Sequence, residues 1–240
     1  MYLNAKVHKV VGMWVLINVF DLFYPKCCLG CGESLSSKQA VLCEFCLLHL
    51  DFIPISVAHE SEMKRRFYGK LKITHCTALL YFAEKSITQQ LLHQLKYKNQ
   101  QQIGEFLAVL SQKHLQNHAI ISWVDFIVCV PLHPSKEKKR GYNQLDSYCK
   151  KLSELWNVPY HKDYLIKTSK SRTQTRKNIF QRAKLKSEFI INPKYDDLKN
   201  KKILLIDDVM TTGSTLQNAG KCIVNNRSNQ LSILTMAYTK

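Results

Sequence analysis

Two adjacent carboxylates, Asp207 and Asp208, stand between an apolar run, Ile203 to Ile206, and the hydroxyl-rich turn Thr211-Thr212-Gly213-Ser214-Thr215. The order sets acids beside a phosphate cradle. Backbone amides at a helix N-terminus and the hydroxyls of Thr211, Thr212, Ser214 and Thr215 can surround a phosphate, with Gly213 permitting the tight turn. The same phosphate would repel Asp207 and Asp208, which suit sugar hydroxyls or a bound Mg²⁺, a cation that favours oxygen ligands. A phosphorylated sugar satisfies both halves. The plain alternative is a Ser/Thr helix cap after an acidic turn. A nucleoside-triphosphatase strand is the other rival, but Gly220-Lys221-Cys222 fails the P-loop pattern because the hydroxyl is missing and the preceding Gly is wrongly spaced.

A second chemistry sits near the N-terminus. Cys28-x2-Cys31 and Cys43-x2-Cys46, separated by eleven residues, supply four soft ligands able to converge on one tetrahedral Zn²⁺. Gly30 and Gly32 relax the first turn, and the segment is too short to hold itself together by apolar burial. Four thiolates leave no position open for water, so the zinc would be structural. Cys27 adjoins the first pair and competes with Cys28 as ligand. Reduced core cysteines or two disulfides are the competing arrangement. Cys76, Cys129, Cys149 and Cys222 fall among apolar residues and read as core packing.

The elements that must position these groups follow from periodicity. Ile73 to Phe82 reads as a strand, and apolar residues at Leu91, Leu92 and Leu95, then Ile103, Phe106, Leu107 and Leu110, mark two amphipathic helices. The following half alternates strand and helix, the sign of a parallel sheet with crossovers. Its strands are Phe126 to Val130, Tyr164 to Ile166, Phe189 to Ile191, Ile203 to Ile206 and Leu231 to Met236. Leu145, Tyr148, Leu152 and Leu155 mark one helix face, and Leu216, Ala219 and Ile223 another. Ligands of such sheets bind beyond the carboxyl ends of the strands, which puts the loops after Val130 and Ile206 on one rim. Residues 1–55 form an N-terminal module and 56–240 the main α/β domain, joined through a polar, basic connection around His59 to Lys72.

A chain of 240 residues with 45% hydrophobic content can bury a core, and its formal charge of +17 favours polyanions such as nucleic acid, nucleotides or an acidic membrane surface. The cysteine pattern favours a reducing compartment. Lys6, His8 and Lys9 ahead of Val10 to Phe20 imitate a signal peptide, but Asn18 interrupts the run and it is short of the about 20 residues a span needs. A retained docking helix is the better reading, and the protein is expected in the cytoplasm, with surface attachment to a membrane left open.

Two basic segments complete the set. Pro131-Leu132-His133-Pro134 leads into Lys136, Lys138, Lys139, Arg140, Gly141, Tyr142, Asn143 and Gln144, and Lys167 to Lys186 carries eight Lys or Arg and no acid. Solvated surface is the plain reading of each. With these motifs in order, the sequence resembles the ComF family, whose main domain is of the type I phosphoribosyltransferase kind. The resemblance implies an α/β fold, a type I phosphoribosyltransferase-like parallel sheet flanked by helices, with a small N-terminal zinc ribbon.

It also implies that Asp207, Asp208 and Val209 with Thr211, Thr212, Gly213, Ser214 and Thr215 bind phosphoribosyl pyrophosphate (PRPP) with Mg²⁺. Asp207 and Asp208 would hold the ribose hydroxyls and Thr211 through Thr215 the 5′-phosphate. Family position makes Lys136, Lys139 and Arg140 part of the pyrophosphate loop, and Arg172, Arg176 and Arg182 part of a flexible closing loop. The second loop departs from the family pattern at Ile179 and Leu185. The implied role is natural transformation, with single-stranded DNA and other uptake proteins as partners. A transferase would move phosphoribosyl to a nitrogen acceptor; the rival is a non-catalytic DNA-binding protein that uses PRPP or phosphate as a ligand or signal.

Overall fold

The computed structural model describes residues 26–35, 37, 40–168, 188–225 and 228–240. The expected N-terminal helix over Val10 to Phe20 lies outside the described residues. Two compact units divide at Leu50 and Asp51. In the first, a tight turn closes with Gly32 N–H donating to the Cys28 carbonyl at 2.9 Å, and Cys27 bridges Ser34. A short helix, α1 (Glu44–Leu48), follows, with the Cys43 side chain accepting from Cys46 N–H at its start.

The second unit is built on a four-stranded sheet of order β1-β6-β5-β2, comprising β1 (Cys76–Tyr81), β2 (Phe126–Cys129), β5 (Lys202–Met210) and β6 (Gln230–Tyr238). Every pairing is parallel. Ile203 to Ile206 and Ile233, Leu234 and Met236 are wholly buried, as expected of central strands covered on both faces. Parallel neighbours need crossovers, and helices supply them. After α2 (Val57–Arg65), which precedes β1, they are α3 (Ile87–Tyr97), α4 (Gln102–His114), the one-turn α5 (Ile120–Trp123), α6 (Pro134–Arg140), α7 (Asp146–Trp156) and α8 (Ser214–Val224).

The helix starts and inner faces have local causes. Ser86 Oγ accepts from Gln89 N–H at 3.1 Å to start α3, which buries Leu91, Leu92 and Leu95. Helix α4 packs closely on α7 because Gly104 has no side chain: a Cβ there would lie 2.1 Å from Ser147 Oγ. Below that contact Ser111 Oγ and Tyr148 OH share a buried hydrogen bond of 2.7 Å. Cys76, Cys129 and Cys149 are core residues as expected, whereas Cys222 is half-buried on the side of α8.

Four expectations are corrected. The first half of the basic connection, from His59 to Arg65, is helical, because Ser56 caps α2 and Met63 is buried, and Phe67 just beyond it is buried too. Strand β5 does not stop at Ile206: it pairs with β6 through Asp207↔Thr235, Val209↔Ala237 and Met210↔Tyr238. The segments at Tyr164 and Phe189 do not join the main sheet. As β3 (Leu165–Lys167) and β4 (Phe189–Ile191) they form a separate antiparallel ribbon at the two feet of the second basic segment. On α7, Trp156 takes the inner position expected of Leu155, which is 38% exposed. Trp123 is half-buried with its ring edge-on to His75.

Candidate functional site

Asp207 and Asp208 are the last polar pair on β5, at the carboxyl end of the sheet. The turn Thr211 to Gly213 then leads directly into α8. Gly213 caps the helix with φ +76, a left-handed conformation that L side chains rarely adopt. Its bare Cα also makes room for Phe67: a Cβ would lie 3.0 Å from the ring. Thr212 Oγ1 donates to Ser214 Oγ at 3.2 Å and accepts from Ser214 N–H at 3.4 Å. Asp207, Val209 and Thr211 to Leu216 line a small cleft. All eight residues expected to hold PRPP are therefore contiguous on one strand end, turn and helix start.

Burial and neighbouring charges act together on the carboxylate pair. Asp207 is pushed up to about 8, first by burial and then by the neighbouring charge of Asp208, against the lowering effect of Asp208 N–H, Lys96 and Lys167. Asp208 N–H donates to Asp207 Oδ1 at 2.9 Å. Lys96 Nζ, from the last turn of α3, lies 2.9 Å from Asp208 Oδ2, and Gln144 Nε2 donates to the same oxygen at 2.8 Å.

The first basic segment reaches the same rim. Strands β2 and β5 are neighbours, with Val130 N–H donating to the Ile206 carbonyl at 2.9 Å. Instead of an open loop, its centre is helix α6, started by His133, whose Nδ1 pairs with Ser135 Oγ at 2.7 Å. Gly141, at φ +80, turns the chain back. Asn143 then fastens the return by donating to the Val130 carbonyl at 3.3 Å while its Oδ1 accepts from Leu145 N–H at 3.1 Å. Tyr142 OH donates to the Leu95 carbonyl.

Arg140 Nη1 donates to Gln144 Oε1 at 2.9 Å, and its guanidinium lies 5.1 Å from the centre of the Tyr97 ring. A continuous path thus runs from Arg140 through Gln144 to Asp208 and Lys96. The side chains of Lys136 and Lys139, and all of Arg172, Arg176, Ile179, Arg182 and Leu185, lie outside the described residues. At the feet of that second segment Lys167 Nζ pairs with Glu188 Oε1 at 3.0 Å. Lys96 and Tyr97 are additions to the expected set. Their only sequence signal is a basic residue in a last helical turn, which is common on any helix.

The four cysteines do converge. Cys28, Cys31, Cys43 and Cys46 place their sulfurs within 4.8 Å of one another, with Cys31 and Cys43 at 3.7 Å. Zn–S bonds of about 2.3 Å in a tetrahedron separate sulfurs by about 3.8 Å. Gly30 N–H and Cys43 N–H point at Cys28 Sγ (3.3 and 3.2 Å), and Cys46 N–H at Cys43 Sγ (3.4 Å). Burial opposes ionisation of Cys28, but the N–H groups of Cys43, Cys31 and Gly30 outweigh it and bring the thiol down to about 6. Cys46 is pushed well up, by burial and then by its cysteine neighbours. A Cβ on Gly30 would meet Cys46 Sγ at 2.8 Å, so the first turn is shaped around the sulfurs. The donor set fits a structural zinc. Cys27 is exposed and outside the cluster.

Glu60, His75 and His118 also bring potential ligand atoms within 4.8 Å. There the carboxylate already receives Lys64 Nζ at 2.8 Å and Cys76 N–H at 3.3 Å. Because His118 Nδ1 accepts from Ile120 N–H at 3.0 Å, its proton sits on Nε2, the atom a metal would need. The cluster is a hydrogen-bonded ion-pair network.

Residues 93–239 match the model of the phosphoribosyl transferase domain. The chain belongs to that family. Among relatives, Competence protein F of Haemophilus influenzae is 26% identical over 221 residues, covering 84% of this chain and 92% of the relative. Competence protein ComFC of Bacillus subtilis is 23% identical over 209 residues, 83% of this chain and 78% of the relative. DNA utilization protein YhgH of Escherichia coli K12 is 27% identical over 154 residues, 62% of this chain, and the match spans 66% of that protein's length, just under two thirds. The phosphoribosyl transferase domain thus begins within α3, three residues before Lys96, and ends beside the last strand, and the resemblance to the ComF family holds. Among the described residues no helix is long and apolar enough to cross a membrane.

Proposed function

We propose that the chain is a cytoplasmic PRPP-binding protein of natural DNA uptake, with a zinc-stabilised N-terminal unit. The observation that carries the reading is the carboxylate pair at the end of β5 feeding directly into a hydroxyl-lined helix start, with Lys96 and Arg140 beside it. A ribose 5-phosphate ester gives hydroxyls to Asp207 and Asp208 and a phosphate to Thr211 through Thr215. Mg²⁺ arriving with the pyrophosphate would neutralise its oxygens beside the basic segments. The reaction suited to such a site is displacement of pyrophosphate from the anomeric carbon by a nitrogen nucleophile. Asp207 or Asp208 would stabilise positive charge developing on the ribose ring.

Calorimetric titration with PRPP and Mg²⁺ tests this. Binding lost in Asp207→Asn/Asp208→Asn is the expected result, and released pyrophosphate in the presence of candidate nitrogen nucleophiles would mark an enzyme. Folded, zinc-loaded protein that binds no PRPP would refute the reading.

A second reading, favoured by the +17 charge, is single-stranded DNA binding in the same uptake role. The names of the relatives, two competence proteins and a DNA utilization protein, agree with it.

A further inference from the structure

A cavity of about 840 Å³ lies away from the carboxylate pair, between the chain after α2 and the last turns of α8. Lys64, Lys70, Lys72 and Lys221 line it, and none of its lining residues is acidic. Lys64 is held by Glu60, but Lys70, Lys72 and Lys221 have no ion-pair partner among the described residues. Tyr68 stands at its edge with 87% of its surface exposed, unusual for a ring of that size. The wall is seated by shape: Leu71 packs where a side chain on Gly220 would be, its Cδ2 2.5 Å from the position of a Cβ. Two residues before Tyr68's neighbour Gly69, Phe67 packs on Gly213, so the same stretch of chain joins this groove to the phosphate turn.

We propose that this groove binds a short segment of single-stranded nucleic acid, the lysines following its phosphates and Tyr68 stacking on a base. The inference rests on the nucleic-acid reading above and gives it a place. The charges of Lys70, Lys72 and Lys221, with no acid among the lining residues, repel one another until a polyanion covers them. An exposed ring among such charges adds a stacking platform, the pairing that sequence-tolerant single-strand binders use. A flat anionic membrane would also attract lysines and a tyrosine, but it meets only the rim of a groove, whereas a single strand can follow it.

Fluorescence anisotropy with a labelled oligo(dT) across a salt series tests it, using the full chain and checking each variant by circular dichroism and zinc content. Tyr68→Ala should weaken binding roughly 5- to 150-fold and Tyr68→Phe should not. Lys70→Glu/Lys72→Glu should lower the slope of log K against log salt by about 1.4, two contacts' worth. PRPP affinity should stay unchanged in all three variants. Wild-type protein that binds no oligonucleotide would overturn both the groove and the nucleic-acid reading. Wild-type binding that the variants keep would overturn the groove alone. Variants that lose affinity for phosphatidylglycerol vesicles but keep it for oligo(dT) would also overturn it, in favour of a membrane surface.

Discussion

Gly213→Ala is the perturbation whose cost can be worked most directly. The residue sits at φ +76, where an L side chain costs about 1–2 kcal/mol. The new Cβ would also lie 3.0 and 3.1 Å from Phe67 Cζ and Cε1, and Phe67 is 1% exposed, so the ring cannot swing into solvent. Overpacking of this kind costs about 1–3 kcal/mol, for a total of roughly 2–5 kcal/mol. A double-mutant cycle with Phe67→Leu separates the parts. Leucine costs on the order of 1–2 kcal/mol by itself but vacates the ring edge, so in that background Gly213→Ala should cost only its backbone share, about 1–2 kcal/mol. Urea unfolding of zinc-loaded protein followed by far-ultraviolet dichroism supplies the four free energies. Equal costs in the two backgrounds would refute the contact argument, and a cost below about 0.5 kcal/mol in wild type would refute both terms.

Lys96→Met should destabilise the ligand-free protein by about 1–3 kcal/mol, between the values for exposed and buried pairs, and the cost should largely vanish in an Asp208→Asn background. Metal analysis should find about one zinc per chain, and Cys46→Ser should reduce it and expose the remaining thiols to a thiol reagent. Stability should fall as pH drops below about 6.5. Burial, opposed by the Glu60 charge, holds His118 below its ordinary 6.5, so the unfolded chain binds the proton first. His118→Asn, which keeps an acceptor for Ile120 N–H, should flatten that slope; an unchanged slope would sink the assignment.

What the sequence makes legible is what lies close together along it. The order of apolar strand, two acids and hydroxyl turn needs no tertiary information to be read, and neither does the spacing of the four cysteines. The alternation of strands and helices gives the parallel sheet for the same reason. The errors fall where a local pattern had more than one tertiary outcome. Asp207 and Asp208 look like a loop, yet backbone pairing with Thr235 and Ala237 carries β5 past them regardless of their polarity. Three-residue runs at Leu165 and Phe189 carry no signal of whether they pair in parallel within the main sheet or antiparallel apart from it. On α7, adjacent apolar residues leave the inner position to be decided by packing, and Trp156 takes it over Leu155.

The direct partners of Asp208 were illegible for a stronger reason: Lys96 comes from α3 and Gln144 from the chain after α6, and only the folded sheet brings both to the end of β5, although the rim position of Arg140 was readable from its loop. Their arrangement nevertheless bears on function. An Asp207 raised to about 8 from an ordinary 3.8 contributes stability that is present below about 3.8 and lost as pH rises through about 8. Near neutral pH the ligand-free fold therefore carries an acidic pair that costs stability, with Lys96 offsetting part of the charge. Packing alone gives no reason to keep two adjacent acids at a strand end. A ligand that brings cations and hydroxyls to that point does, because it stabilises the ionised carboxylate that the ligand-free fold disfavours. The effect should be visible as a rise in thermal stability with PRPP and Mg²⁺ that Asp207→Asn/Asp208→Asn does not show.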